Sequence, residues 1–173
     1  MSYVARLALF LAVAAVVLGC GGDEPSDLTY EQAFSEISRG ISFPSTSVPE
    51  GLSQATNVEE VAAVLRPYGE IIGKAATDYG ALEPPQAIAA EHDRWVDFLH
   101  QMSSRYLQTA DDVLTVRSGE EVQAILDRTV SWIELPANQQ VMVDFAQAVA
   151  DEGLDLENPF IEPDAAEAAP PAT

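Results

Sequence analysis

The stretch PPQAIAAEHDRWVDFLHQMSSRYLQTADDVL, residues 84–114, decides the fold. After its two leading prolines it contains no further proline and no glycine. One set of side chains recurs along it at alternating steps of four and three residues: Ile88, His92, Trp95, Leu99, Met102, Tyr106, Thr109 and Val113. This period predicts one long α-helix over 85–114 whose apolar stripe has to pack against other helices.

The preceding segment carries the same period and supplies the first partner. Asn57 and Glu60 form a capping pattern, and an apolar stripe then runs from Val58 to Leu82. The stripe keeps its phase across Pro67, so we expect one kinked helix over 57–81 rather than two separate helices. Pro84 and Pro85 then predict a very short turn into an antiparallel hairpin.

Three shorter helices complete the prediction. Capping boxes begin two of them, at Thr29 with Gln32 and at Ser118 with Glu121. The first helix is expected over 29–39, and the last carries a stripe around Phe145 that Gly153 closes. No strand-like alternation occurs, so the fold class is all-α: an antiparallel helical bundle of four main helices plus a short N-terminal one.

The remaining segments of the body are predicted to lack regular structure. Residues 41–55 contain two prolines, and we expect a loop there with Phe43 and Val48 packed against the bundle. The bundle domain is therefore predicted over 29–154. Residues 155–173 are rich in proline, alanine and acid, which predicts a disordered tail.

The front of the chain has the pattern of a secretion signal. Leu7 to Leu18 is an apolar run that is too short to span a bilayer but fits a signal-peptide core. Gly19 and then Cys20, the single cysteine of the chain, follow this run. We expect residues 1–19 to be removed, and 20–28 to form a flexible tether to the bundle.

The sequence Val17-Leu18-Gly19-Cys20 resembles the lipobox of bacterial lipoproteins. The resemblance implies cleavage between Gly19 and Cys20 by signal peptidase II and acylation of Cys20. The alternative is an ordinary signal peptide with an incidental cysteine. Acylation would anchor the protein in the cell membrane or outer membrane, with the bundle on the extracytoplasmic side.

A second, weaker resemblance lies at the centre of the body. The pattern Leu82-Glu83-Pro84-Pro85, then six intervening residues and His92-Asp93, is similar to a segment of secreted lipoproteins of high-GC Gram-positive bacteria. Those proteins are helical, and most have no assigned function. The resemblance implies a helical fold and an extracytoplasmic location, and it brings no catalytic residue with it.

The charge of the chain excludes one class of partner. Lysine and arginine total 8 against 28 acidic residues, and the formal net charge is −20. Such a surface repels the phosphates of nucleic acids and anionic lipid headgroups, so we predict no nucleic-acid binding. It would attract cationic partners or divalent metals, although a solvated acidic surface is the usual meaning of such a charge.

The two histidines are the natural candidates for chemistry. His92 lies in the apolar stripe, which fits either a buried proton switch or metal ligand, or a core histidine with one ring nitrogen satisfied by a neighbour. Asp93, Asp97 and His100 share the opposite helix face and form a candidate metal site. The alternative for this face is plain exposure to solvent.

Other chemical signatures are missing from the sequence. It contains no nucleophile elbow, no phosphate-binding glycine loop, no covalent-haem motif and no calcium loop. We therefore predict no enzymatic activity and no cofactor. The expected function is a lipid-anchored binding module whose protein or small-molecule ligand is unknown. The alternative is a bundle that binds a divalent metal.

Overall fold

The computed structural model describes residues 28–43 and 48–156, and in these residues the only regular secondary structure is helical. The predicted signal peptide, most of the tether and most of the acidic tail lie outside this range. The helices in chain order are α1 (Tyr30–Gly40), α2 (Val48–Gln54), α3 (Val58–Gly80), α4 (Ala89–Val113), α5 (Gly119–Ile133) and α6 (Pro136–Asp151).

The predicted all-α bundle is confirmed, with four main helices, α3 to α6, and the short α1. Helices α3 and α4 pack against each other and run antiparallel. The direction follows from two contacts, since Gly80 late in α3 lies beside Val96 early in α4, and Gly73 lies beside Ser103. Pro67 lies within the continuous helix α3, as the unbroken stripe predicted. Helices α5 and α6 pack on α4, while α1 and α2 pack on α3.

The predicted start of the long helix was wrong. Helix α4 begins at Ala89 rather than at Pro85. The amide of Ile88 donates a hydrogen bond to the carbonyl of Pro85 at 3.0 Å, which closes a separate turn before the helix. Because the side chain of Ile88 is fully buried, burial in the core holds this turn and sets where the helix can begin.

The prediction of an irregular loop over 41–55 was also wrong, because it contains the seven-residue helix α2. Pro49 occupies the first turn of that helix, where a missing N–H is tolerated. Val48, Pro49 and Gly51 are buried, and a Cβ on Gly51 would lie only 2.9 Å from the methyl groups of Val64. The predicted packing of Phe43 and Val48 is confirmed, since Phe43 stacks on Tyr68 at a centroid distance of 5.5 Å.

Helix α6 is followed by Gly153, the glycine that the sequence predicted would close it. Gly153 has a φ of +66°, in the left-handed region that favours glycine. Its amide donates a hydrogen bond to the carbonyl of Ala150 at 3.0 Å, and the amide of Leu154 donates one to the carbonyl of Val149 at 3.1 Å. These two hydrogen bonds form a Schellman motif, and Leu154 packs against the core.

Replacing Gly153 with alanine should therefore destabilise the protein by about 1 kcal/mol, because a Cβ is disfavoured at this φ. Thermal or denaturant unfolding of wild type and variant measures the difference. Gly119→Ala is the matched control, since a Cβ at Gly119 meets nothing within 4 Å. Equal stability of the wild type and the Gly153→Ala protein would contradict the proposed role of the cap.

Among the described residues, no helix combines the length and the apolar character needed to cross a bilayer. The large apolar side chains instead face inward. Those that are almost fully buried come mainly from α3 and α4, with Phe34 added by α1 and Phe145 by α6. The core is thus densest beside the α3–α4 hairpin.

Candidate functional site

The candidate metal face on α4 is exposed. Asp93, Asp97 and His100 all point outward, as the helical phase predicted. Within residues 28–43 and 48–156, no group of three or more histidine, cysteine, aspartate or glutamate residues is arranged to hold a metal ion. Metal binding at this face stays a prediction from sequence spacing, without support from the geometry.

His92 lies on the other side of the same helix and is buried, with 1% of its surface exposed. Its position in the apolar stripe is therefore confirmed. Of the two alternatives, the core histidine with one ring nitrogen satisfied by a neighbour is not supported, because neither Nδ1 nor Nε2 has a partner with hydrogen-bond geometry. Oδ1 of Asp93 lies 3.8 Å from Nδ1, which is longer than a hydrogen bond.

Three helices besides α4 surround His92 with aromatic rings, and we call this group the aromatic cluster. The rings of Trp95 and Phe145 are nearly parallel at a centroid distance of 4.6 Å, and Phe34 lies 4.5 Å from Tyr79. The cluster consists of Tyr30 and Phe34 from α1, Tyr79 from α3, His92 and Trp95 from α4, and Phe145 from α6. Aromatic packing of this kind stabilises beyond simple burial, so the cluster joins four helices.

One polar contact within this cluster connects α1 to α3. The hydroxyl groups of Ser38 and Tyr79 lie 2.9 Å apart in the buried region, and the Ser38 hydroxyl also contacts the carbonyl of Phe34 at 3.0 Å. The sequence predicted the stripe that contains Tyr79 but assigned no role to Ser38. Only the approach of α1 to α3 reveals this pair.

Burial shifts the acid–base properties of the cluster. It lowers the pKa of His92 below its ordinary value, while the Asp93 carboxylate and the backbone of Tyr79 oppose this shift more weakly. It raises the pKa of Tyr30, whose hydroxyl is buried without a hydrogen-bond partner. The cluster therefore favours neutral forms of both groups at pH 7.

The glycines of α3 permit close helix packing. A Cβ at Gly73 would lie 2.6 Å from Oγ of Ser103, and one at Gly69 would lie 2.9 Å from Cγ of Leu107. The Ser103 hydroxyl also donates a hydrogen bond to the carbonyl of Gly69 at 2.7 Å. These glycines therefore serve the close approach of α3 to α4.

The aromatic side chains on the predicted apolar stripes lie mainly in the core. Trp95 and Tyr106 are buried, and burial raises the pKa of Tyr106 to about 12. Trp132 on α5 is only partly buried. It stacks on Phe98 at a centroid distance of 5.9 Å, and the guanidinium of Arg105 lies 5.2 Å from its ring centre.

Two shallow grooves open on the described surface, and neither reaches the aromatic cluster. One, of about 440 Å³, lies between α1 and α3 and is lined by residues that include Glu36, Lys74 and Asp78. The other, of about 530 Å³, lies where α3 and α5 begin and is lined by residues that include Asn57, Arg117 and Ser118. Both combine apolar and polar side chains, which by itself selects no ligand class.

Comparison with known proteins adds no functional assignment. The chain matches no protein-family model, and no curated protein or solved structure proved similar to it. The function of the chain is therefore inferred from its own residues. Gly19 and Cys20, the predicted cleavage and lipidation residues, lie outside the described range.

Proposed function

We propose that the chain is a lipid-anchored, extracytoplasmic helical bundle that acts as a non-enzymatic binding or interaction module. The observation that carries this proposal is the position of its single cysteine, directly after the apolar run Leu7–Leu18 and Gly19. Acylation of Cys20 would place the body close to a membrane. Two or three acyl chains, at about 0.8 kcal/mol per buried CH₂, suffice for stable anchoring.

The charge of the body fits this placement. The whole chain has a formal net charge of −20, and anionic headgroups repel such a surface, so the lipid and not the protein surface would hold the protein at the membrane. The first described helix begins at Tyr30, ten residues after Cys20. This arrangement presents the bundle to partners outside the membrane.

Buried hydroxyl groups join the helices of the proposed module. Thr109 and Thr129 join α4 to α5 through hydroxyl oxygens 2.6 Å apart, and the Ser103 hydroxyl joins α4 to α3. These contacts satisfy polar atoms inside the bundle and stabilise the packing. These hydroxyl groups therefore have a structural role in the described core.

The lipid anchor is tested by Cys20→Ser. We expect loss of acyl modification and accumulation of uncleaved precursor, because the thiol is the atom that would be acylated. Mass spectrometry of the N-terminal peptide and membrane fractionation measure this outcome. Ser26→Ala, a change in the tether, should leave both unchanged. Equal lipidation of the Cys20→Ser protein and the wild type would rule out the assignment.

The binding role is tested by native mass spectrometry of the lipidated protein, purified from its own source without chelators. A bound organic ligand would add a few hundred daltons, and a metal would add a few tens. Loss of a metal adduct in the Asp97→Asn, His100→Gln double variant would favour the metal-binding alternative. The bare mass would direct the search to protein partners, by crosslinking in the intact envelope. Absence of a specific crosslinked partner there would contradict the proposal.

A further inference from the structure

His92 lies where three helices meet. Its ring centroid is 5.7 Å from that of Tyr30 on α1 and 6.2 Å from that of Phe145 on α6. The edge-on Tyr30 ring covers one side of the imidazole, at an interplanar angle of 75°. A change in the charge of His92 would therefore change the free energy of the contact between α1 and the rest of the bundle.

The site contains polar atoms that the packing leaves without hydrogen bonds. Both ring nitrogens of His92 and the hydroxyl of Tyr30 are buried and unpartnered. A neutral imidazole tolerates this at a modest cost, because its charge is zero. An imidazolium does not, since a buried cation needs water or a closely placed acceptor.

We propose that His92 is an acid-sensitive contact that holds α1 on the bundle at neutral pH and releases α1 when its ring is protonated. Release would bring the imidazolium into water and expose the inner face of α1, including Phe34. This inference concerns a conformational change of the bundle and does not depend on the proposed lipid anchor.

The charged and titratable groups around His92 do not offer an alternative to release. On α4, Asp93 is the neighbouring carboxylate, but its side chain is 81% exposed and 3.8 Å away. On α1 and α3 the titratable neighbours are the phenols of Tyr30 and Tyr79, whose pKa values burial raises. Helix α6 contributes the uncharged Phe145. Its neighbouring carboxylate, Asp144, pairs with Arg94 rather than with His92, with Oδ2 of Asp144 3.7 Å from Nη1 of Arg94.

Helix α1 is the element that should move. Helices α3 and α4 have the most extensive contact of any described helix pair, and Gly73 and Gly80 of α3 pack closely against α4. Helix α1 is shorter and rests on this hairpin through a few side chains, chiefly Tyr30, Phe34 and Ser38. Opening such an element exposes less apolar surface than opening the hairpin.

The direction of the pH dependence follows from proton linkage. His92 has a lowered pKa when α1 is docked and regains the ordinary value of about 6.5 when α1 is released. Docking is therefore complete above about pH 6.5 and weakens as the pH falls toward the lower, docked-state pKa. Within this window, the opening constant of α1 rises by up to about tenfold per pH unit.

Hydrogen exchange of the full-length protein in detergent micelles tests this proposal between about pH 7.5 and about pH 5.5. After correction for intrinsic exchange rates, α1 should lose protection at the lower pH while α3 keeps it. In His92→Phe, the protection of α1 should no longer depend on pH. His100→Gln is the matched control, because it removes the exposed histidine of the same helix, and it should behave as wild type.

Three results would overturn the proposal: equal protection of α1 at both pH values, equal loss of protection from α1 and α3, and an unchanged pH dependence in His92→Phe. If His92→Phe does not fold, NMR titration of the His92 ring in the wild type decides the question. Titration near pH 6.5 with α1 still protected would show that protonation does not release the helix.

Discussion

Replacing Leu99 with aspartate should unfold the bundle. Leu99 lies at the centre of the α4 stripe and has no exposed surface. The substitution removes a buried leucine, at a cost of about 2–5 kcal/mol, and it leaves a carboxylate in an apolar site that must be hydrated or protonated. Together these costs reach the total stability of a typical domain, about 5–15 kcal/mol.

Circular dichroism and thermal unfolding measure this effect. The Leu99→Asp protein should show reduced helix and no cooperative transition, while Leu135→Asp serves as the control. Leu135 is 47% exposed and occupies the N-cap of α6 without a side-chain hydrogen bond. Aspartate is a favourable N-cap residue, so the control should be at least as stable as wild type. Cooperative melting of Leu99→Asp near the wild-type temperature would contradict the described core.

Replacing Gly73 with leucine should separate α3 from α4 and destabilise the protein by about 3 kcal/mol. Even a Cβ at this position would lie 2.6 Å from Oγ of Ser103 and 3.4 Å from its Cβ. The larger side chain would displace Ser103 and break its hydrogen bond to the carbonyl of Gly69. The gain in helix propensity over glycine, about 1 kcal/mol, would not compensate for this loss.

Denaturant unfolding of a small set of variants isolates the helix contact. Gly119→Leu is the matched control, since Gly119 has open space around its Cβ position, and we expect a change within about 0.5 kcal/mol. Combining Gly73→Leu with Ser103→Gly should recover part of the lost stability, because it removes the group that clashes. Equal stability of the Gly73→Leu and Gly119→Leu proteins would show that α3 and α4 do not pack closely there.

The main helices were predictable because each carries a local, periodic signal. The stripe from His92 to Val113 predicted α4, and the unbroken phase across Pro67 predicted a single α3. Caps were equally readable: Thr29 with Gln32 and Ser118 with Glu121 form the reciprocal hydrogen bonds of capping boxes. These features depend on residues three to four positions apart, so the sequence alone contains them.

Helix α2 and the start of α4 were mispredicted because tertiary contacts override local preference there. Two prolines and several hydroxyl residues favoured a loop over 41–55, yet burial of Val48 and Gly51 against the bundle stabilises a short helix. Similarly, Pro85 is an acceptable first helical residue, but the buried side chain of Ile88 holds a separate turn before α4. Neither burial can be inferred from sequence neighbours.

The candidate site was also predictable only in part. Helical phase predicted that His92 faces inward while Asp93, Asp97 and His100 face outward, and the structure confirms these orientations. Helical phase did not predict that both ring nitrogens of His92 lack hydrogen-bond partners, nor that the Tyr30 ring covers the imidazole. Tyr30 and His92 belong to helices far apart in the chain, and only their packing brings the two rings together.

By itself, the sequence determined the all-α class, the four main helices and their buried faces, since all of these follow from local spacing and composition. The lipid anchor stays a prediction from the same local pattern. Only the tertiary structure decided that the glycines of α3 serve close packing and that five aromatic side chains form a cluster with His92. The physical reason is that burial and hydrogen-bond satisfaction depend on which helices touch, and helical periodicity specifies a face without specifying its partner.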